Sequence, residues 1–345
     1  MLDLIIPVYK NIAGLYRSLF SLGTDLKDRV YVTIVDDCSE ESYEDVINFF
    51  QKFFPIRVVY LEKNMGPGMA RQKGLDVATQ PYISFLDCGD TYTSPTRLNE
   101  CLNEIEDNPT YVLFSWAHLE ERYENPDIPN RLTYNTFFPG NNRMHGKIYR
   151  RDFLSQHNIT FSEEGARANE DIGFNIAVRL CAENEWRKDG IQRVYHGEDA
   201  AVVWKVTGPS IVRAENCAFY YRDQNQGMSI NGQHALNIAR QNKVDNDLIL
   251  REIYEEMAHM YMFYFATKHA RPEFLDNSIR GAAIYYINCF KPHGDENPKM
   301  LTEIFWDVLS RFVNDPSDPI RLQMVPVDFP GFLNMLEQYC FDNNI

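Results

Sequence analysis

None of the seven cysteines in this 345-residue chain stand at C-x-x-C spacing, and their number is odd. That spacing argues against a disulfide framework and a zinc site, and favours a reducing compartment. The chain also lacks any run of about twenty uncharged apolar residues, so no transmembrane segment is expected. Met1-Leu2-Asp3-Leu4-Ile5-Ile6-Pro7 has no basic start, and its apolar run is too short for a signal peptide. A cytoplasmic protein is therefore expected. Basic residues are scarce as well: 34 Lys and Arg stand against 49 Asp and Glu, a net charge of −15. Such a surface repels polyanions on average and excludes a general nucleic-acid packer, although a local basic patch can override the average. Internal repeats and low-complexity segments are absent. Apolar material is plentiful, with 44% hydrophobic and 13% aromatic residues. That suffices for a substantial core in one large domain or two ordinary ones.

Short apolar runs alternate with helical patterns through the first third of the chain. Leu2–Val8, Val30–Val35, Ile56–Leu61, Tyr82–Leu86 and Tyr111–Ala117 read as buried strands. Asn11 is placed to cap a helix with Ile12, Leu15, Tyr16, Leu19 and Phe20 at helical spacing. A Phe-rich helix is expected over Tyr43–Phe53, another from Gly66-Pro67-Gly68 to Val77, and a fourth from Ser94-Pro95. The alternation predicts an α/β fold with a doubly wound, mostly parallel sheet. In such sheets ligands bind beyond the carboxyl ends of the strands. The polar clusters Asp36-Asp37, Asn64 to Gly68 and Asp87 to Asp90 all fall there. From about Gly232 the alternation stops. Leu250, Ile253, Tyr254, Met257, Tyr261 and Tyr264 mark one amphipathic helix, and Ile279, Ala283, Tyr286, Ile287 and Phe290 another, which predicts a smaller helical C-terminal domain. The expected division is 1–231 and 232–345.

Taken singly, the chemistry-bearing residues allow two readings each. Asp87 and Asp90, three apart on a turn, can share a hard divalent cation with phosphate oxygens, or form a plain Asp-Gly turn. Gly66 to Arg71 opens a helix whose free N–H groups and arginine suit an anion, or is a plain glycine turn. Glu170-Asp171 is either a pair of acids favouring a helix N-terminus or a carboxylate base at the open end of the sheet. Residues 141–151 hold Arg143, His145, Lys147, Arg150 and Arg151 with no acid. They form a solvated strip or a contact to phosphate groups. His145, His196 and His234 are isolated and read as structural.

In order, these pieces resemble the inverting family 2 glycosyltransferases of GT-A fold. Ile5-Ile6-Pro7-Val8-Tyr9 resembles that family's first strand, and Val35-Asp36-Asp37-Cys38-Ser39 its nucleoside-binding turn. Asn64 to Gly74 is similar to its N-x-G-x-x-x-A-R-N-x-G segment, with Gln72 where Asn is usual. Phe85 to Asp90 corresponds to its D-x-D region, with Gly89 in a place often held by Asp. His145 to Arg151 and Asn158 to Phe161 resemble the stretch before the acceptor site. Glu170-Asp171 resembles the E-D pair, and Tyr221-Arg222 with Ser229 the residues that close the transferase domain. The likeness spans about residues 1–230.

The resemblance implies a nucleotide-diphosphate sugar donor, most often with uridine, contacted by Pro7, Tyr9, Asp36, Asp37, Asn64, Gly66, Arg71 and Asp87. It implies a Mg²⁺ or Mn²⁺ ion at Asp87 and Asp90, with Asp90 as the favoured ligand, and Asp171 as the base that inverts the anomeric centre. His145, Lys147, Glu170, Arg222 and Ser229 would face the acceptor or the diphosphate. A saccharide, a protein or a lipid-linked sugar is the default acceptor. Hydroxylated DNA bases are the alternative, in which case a phage enzyme would work in the host cytosol. A nucleotidyltransferase or a non-catalytic nucleotide-sugar binder are the rival functions. Neither sugar, acceptor nor oligomeric state is legible in the residues.

Overall fold

The structure is a computed structural model that describes residues 1–24, 26–92, 96, 98–99, 102, 111–120, 131–135, 144, 147–190, 194–205, 210–270, 272–314 and 328–345. For 111–120, 131–135, 194–205, 210–224, 266, 269–270 and 311–314 it describes the backbone alone. The chain divides into two compact units. The first comprises Met1–Arg167 and Cys181–Pro209, the second Ala168–Leu180 and Ser210–Ile345. The expected boundary at 231/232 falls inside a single helix, Ser210–Gln241.

Among the described residues, the first unit is built on a nine-stranded sheet. Its strands are β1 (Leu2–Val8), β2 (Val30–Asp36), β3 (Ile56–Tyr60), β4 (Tyr82–Phe85), β5 (Thr91–Tyr92), β6 (Tyr111–Glu120), β7 (Arg131–Asn135), β8 (Lys147–Arg150) and β9 (Val194–Lys205). They run in the order β3-β2-β1-β4-β8-β6-β9-β5, with β7 beside β6. β3, β2, β1 and β4 are mutually parallel. β8 is antiparallel to both β4 and β6, and β9 parallel to β6. The expected mostly parallel sheet is therefore present. β1 is apolar almost throughout because both of its faces are covered. Leu2, Leu4, Ile6 and Val8 enter one core with Leu15 and Leu19 of α1 (Ile12–Phe20) and Val46, Ile47 and Phe50 of α2 (Glu44–Phe50). Each such fully buried side chain contributes about 1.5–3 kcal/mol. Ile5 faces the other way, under α3 (Pro67–Val77), and a Cβ at Gly74 would lie 2.3 Å from Ile5 Cγ2. The cap expected at Asn11 is made, its Oδ1 accepting from Gly14 N at 2.8 Å. The helix start at Ser94-Pro95 lies outside the described residues. α4 (Arg151–Gln156) follows β8.

The second unit is helical. It takes the first part of α5 (Glu170–Asp189), then α6 (Ser210–Gln241), α7 (Asn246–Ala270), α8 (Leu275–Tyr285) with a π-turn at Tyr286–Phe290, α9 (Pro298–Asn314) and α10 (Phe329–Asn343). Its helices meet at glycines. A Cβ at Gly173 would lie 2.6 Å from Asn231 O, one at Gly227 2.6 Å from Ala168 O, and one at Gly281 2.4 Å from Gln226 N. Asn225, 1% exposed, donates to Met260 O, Ser278 O and Ser278 Oγ, which ties α6 to α7 and α8.

Two buried carboxylates, Glu252 and Glu256, lie one turn apart on α7, and Arg179 pairs with Glu252. Burial, and then the Glu252 charge, push the Glu256 carboxyl well above its ordinary value. The folded state therefore holds a proton that the unfolded chain releases near its normal pKa. The associated stability is full below that normal value and is lost as pH rises through the raised one. The unfolding midpoint is thus expected to fall from mildly acidic toward alkaline pH, and Glu256→Gln to flatten this slope. Thermal melts of both proteins across pH check this, and parallel slopes would discard it.

Candidate active site

The carboxyl ends of β1, β2 and β4 bring three sequence clusters together. β2 ends in Asp36 and Asp37, both almost fully buried. Asp36 Oδ1 accepts from Ser39 N at 2.9 Å and so shapes the turn that follows. Asp37 N–H donates to Val8 O at 2.9 Å, which locks the turn to β1. The Asp37 carboxylate grips the next loop with both oxygens. Oδ1 accepts from Met65 N at 2.6 Å and Oδ2 from Gly66 N at 2.8 Å. Asn64 Nδ2 returns a bond to Asp37 O at 3.3 Å. Gly66 has φ +89°, and a Cβ there would lie 2.8 Å from Arg167 Cγ and 2.9 Å from Ala166 O, so backbone shape and crowding both require glycine.

Of the two readings of Gly66 to Arg71, this geometry favours the glycine turn. The N–H groups of Met65 and Gly66 are taken by Asp37, and Gly68 N donates to Ala166 O at 2.9 Å. Pro67 has no N–H to offer. Arg71 is also committed. It is 3% exposed, and its Nη2 lies 2.5 Å from Asp87 Oδ1. The segment is a clamp that holds Asp87 in place.

The acidic turn is closed by Asp90 N donating to Asp87 O at 2.9 Å, with Gly89 at φ +109°. That pattern is a type II turn, which needs a positive φ at its third residue. Glycine accordingly stands where the resembling family often has Asp. α1 carries the turn: Gly89 N donates to Ser18 Oγ at 2.9 Å, Ser18 Oγ to Asp90 O at 2.8 Å, and Asn11 Nδ2 to Cys88 O at 3.4 Å. The Asp87 side chain is 35% exposed, whereas Asp90 is 3% exposed. Burial, and then Asp87, push the Cys88 thiol up to about 12, so it stays protonated. Pro7 is half-buried in β1, and Tyr9 is 47% exposed just beyond it, with Lys10 Nζ 5.3 Å from its ring centre.

The other expected residues are placed as follows. Glu170 and Asp171 open α5 in the second unit, Glu170 buried and Asp171 half-exposed. Asp171 Oδ1 accepts from Ile172 N at 2.9 Å, and Asn175 Nδ2 donates to Asp171 O at 2.8 Å. The segment before them is held by α6, because Asn231 Nδ2 donates to Ala168 O at 2.8 Å. Ser229 is buried on α6 and accepts from Gln233 Nε2 at 3.1 Å. Arg222 lies on the same helix, with its side chain outside the described residues; Arg143 and His145 lie outside them altogether.

The basic run 141–151 is not one solvated strip among the described residues. Lys147 is buried in β8, its carbonyl accepting from Ser84 Oγ at 2.8 Å. The Arg150 guanidinium sits 6.0 Å from the Phe153 ring centre. Arg151 Nη1 donates to Ala78 O at 3.1 Å, at the end of α3. Sequence reasoning also passed over Asp3, fully buried, whose Oδ2 accepts from Thr79 N and Gln80 N at 2.6 Å each. A lone acid within an apolar strand was its signal. Gln72 Oε1 accepts from Phe161 N at 2.9 Å, and Arg167 Nη2 donates to Asn64 O at 2.8 Å.

Residues 3–168 match the profile of the family described as Glycosyl transferase family 2. EpsH of Bacillus subtilis, which carries the name of a glycosyltransferase, is 25% identical over 193 residues, covering 52% of this chain and 56% of that protein. The poly(ribitol-phosphate) beta-N-acetylglucosaminyltransferase TarS of Staphylococcus aureus is 25% identical over 194 residues, covering 52% of this chain and 32% of TarS. The chain thus spans about half the length of the first relative and a third of the second. The solved structure of TarS residues 1–349 with UDP-GlcNAc superposes with a TM-score of 0.59 at 18% identity, over 90% of this chain and 91% of that one. The shared architecture is the GT-A fold, with a helical region after it. No helix among the described residues is long and apolar enough to cross a membrane.

Proposed function

We propose that the chain is a glycosyl transferase of family 2, which the match over residues 3–168 supports, and that it moves a sugar from a uridine-diphosphate donor to an acceptor hydroxyl with inversion at the anomeric carbon. One observation carries this reading. Three separate clusters at the strand ends are wired to one another, Asp37 to the 64–66 loop, Arg71 to Asp87, and α1 to the 88–90 turn. The TarS fragment binds UDP and UDP-GlcNAc, which supports a uridine donor here.

In this reading Pro7, Tyr9 and Asp36 line the nucleoside side. Asp37, with Asn64 and Gly66, acts through the loop it clamps. Arg71 orients Asp87. The acidic turn fits a divalent cation by its donor set, since two carboxylates and no nitrogen or sulfur ligand suit Mg²⁺ or Mn²⁺. Asp87 and Asp90 would hold the ion. The half-buried Asp87, with one oxygen held by Arg71, is better placed than the buried Asp90 to reach a ligand that arrives from solvent. When bound, such an ion neutralises charge growing on the leaving diphosphate. Asp171 takes the proton from the attacking hydroxyl, and Glu170, Arg222, Ser229, Lys147 and His145 are assigned to the acceptor or the diphosphate. A saccharide, a protein or a lipid-linked sugar is the proposed acceptor class, with modified DNA as the alternative.

A thermal-shift panel of nucleotide sugars with Mn²⁺ tests the donor. UDP and a UDP-sugar should raise the melting temperature, and excess chelator should abolish both the shift and transfer. Asp87→Ala should remove the metal-linked shift and lower donor affinity by roughly tenfold or more. Transfer at full rate in excess chelator refutes the metal proposal. Release of pyrophosphate instead of UDP refutes the transferase.

A further inference from the structure

Arg17 of α1 is half-buried, and its Nε is buried without a hydrogen-bond partner. Among the described residues no carboxylate pairs with it. An arginine that is neither ion-paired nor fully solvated is uncommon, and its neighbourhood gives it a use. A Cβ at Gly89 would lie 3.6 Å from Arg17 Nη2 and 3.9 Å from Asn11 Nδ2. Long side chains on a helix lean toward its N-terminus. Here that end is Asn11, immediately past β1, so the guanidinium reaches back toward the open end of the sheet.

The type II turn at Gly89 gives the space around it an unusual chemistry. Where a side chain would project if Asp stood at 89, the nearest groups are the Arg17 guanidinium, the Asn11 carboxamide N–H₂, which also donates to Cys88 O, and Gly14 Cα. The first two are donors, and one is a full cation. The turn's own acids do not neutralise it, because Asp87 is held by Arg71 and no carboxylate of the described residues is paired with Arg17. A planar guanidinium with free donors suits two phosphate oxygens at once.

We propose that Arg17 binds and positions the diphosphate of the nucleotide donor, with Asn11 Nδ2 beside it, so that a cation meets the diphosphate charge next to a turn whose own carboxylates carry the same sign. This deepens the donor reading above and rests on it. The consequence is selective. Arg17 should matter for ligands in proportion to their phosphate charge and be indifferent to the nucleoside.

The test compares UDP, UMP and uridine binding to wild type, Arg17→Gln and Arg17→Lys by calorimetry or thermal shift, with Mn²⁺ present. Arg17→Gln should weaken UDP by roughly 10- to 100-fold, UMP by less, and uridine not at all. Arg17→Lys should recover part of the loss, because it restores charge without the fork. The unfolding midpoint of the variants should stay close to wild type, since Arg17 supports no ion pair. Equal weakening of UDP and uridine would mean that Arg17 only shapes the turn, and would overturn the proposal. Wild-type UDP affinity in Arg17→Gln would overturn it too. A wild-type protein that binds no nucleotide would instead refute the donor reading on which it stands. Should Arg17→Gln fail to fold, the Lys variant decides, because a reduced UDP-to-uridine preference with an unchanged midpoint supports the role and a wild-type preference ends it.

Discussion

Asp171→Asn lowers turnover about a hundredfold or more and leaves donor affinity near wild type. The substitution preserves size and keeps an oxygen for Ile172 N, which Asp171 Oδ1 now accepts at 2.9 Å. The start of α5 therefore stays formed, and only basicity and one negative charge are lost. That charge at a helix N-terminus is worth about 0.3–1 kcal/mol, too little to unfold the chain. Its neighbour Glu170 is 8% exposed, a poor position for a group that must meet a diffusing hydroxyl, whereas Asp171 is half-exposed. Steady-state turnover and separately measured donor affinity decide the matter. Unchanged turnover in the variant would pass the role to Glu170, despite its burial.

Asp37→Ala is expected to act on the fold first and on the ligand second. It strands the N–H groups of Met65 and Gly66, which have the Asp37 oxygens at 2.6 and 2.8 Å. A buried donor left unmet costs about 1–3 kcal/mol, so the variant should lose about 2–4 kcal/mol in all, or roughly 5–15 °C of melting temperature for a unit of this size. Donor binding should disappear with the loop's shape. Circular-dichroism melts and a UDP titration on the same sample separate the two effects. A variant with wild-type stability and weakened UDP would instead make Asp37 a direct contact of the nucleotide.

The contrast between these two acids shows what residue patterns reveal. β1 to β4 and α1 to α3 were legible because each is a local pattern, an apolar run or a helical stripe closed by Asn11, Gly66 or Asp37. The site's location followed from topology, since the polar clusters had to fall at strand ends. What stayed hidden depends on partners far along the chain. Nothing near Gly66 announces that its N–H is already promised to Asp37, nor that Gly68 bonds to Ala166, so the sequence leaves an anion cradle open beside the plain glycine turn. Lys147 looks like surface charge until its strand buries it, and Arg151 until its guanidinium meets the carbonyl at the end of α3. The long helix α6 is not legible in the sequence because Asn225, Gly227, Ser229, Asn231 and Gly232 are weak helix formers. They are there for what they meet: Asn225 for three acceptors on α7 and α8, Gly227 for the carbonyl of Ala168.

The glycine contacts of the helical unit also limit how this protein can be changed. Replacing helical glycines with alanine is an ordinary route to a sturdier protein, worth up to about 1 kcal/mol at each compatible place. At Gly173, Gly227 and Gly281 that route is closed, because the added methyl would meet backbone at 2.4 to 2.6 Å. The neighbours there are main chain and cannot rotate aside. Gly173 lies two residues beyond Asp171, and Gly227 abuts Ala168 and Asn169 just before it. A methyl at either point would shift the carboxylate itself. Thermostabilised versions should therefore be sought on the exposed faces of α9 and α10, and libraries that randomise these three positions should return glycine.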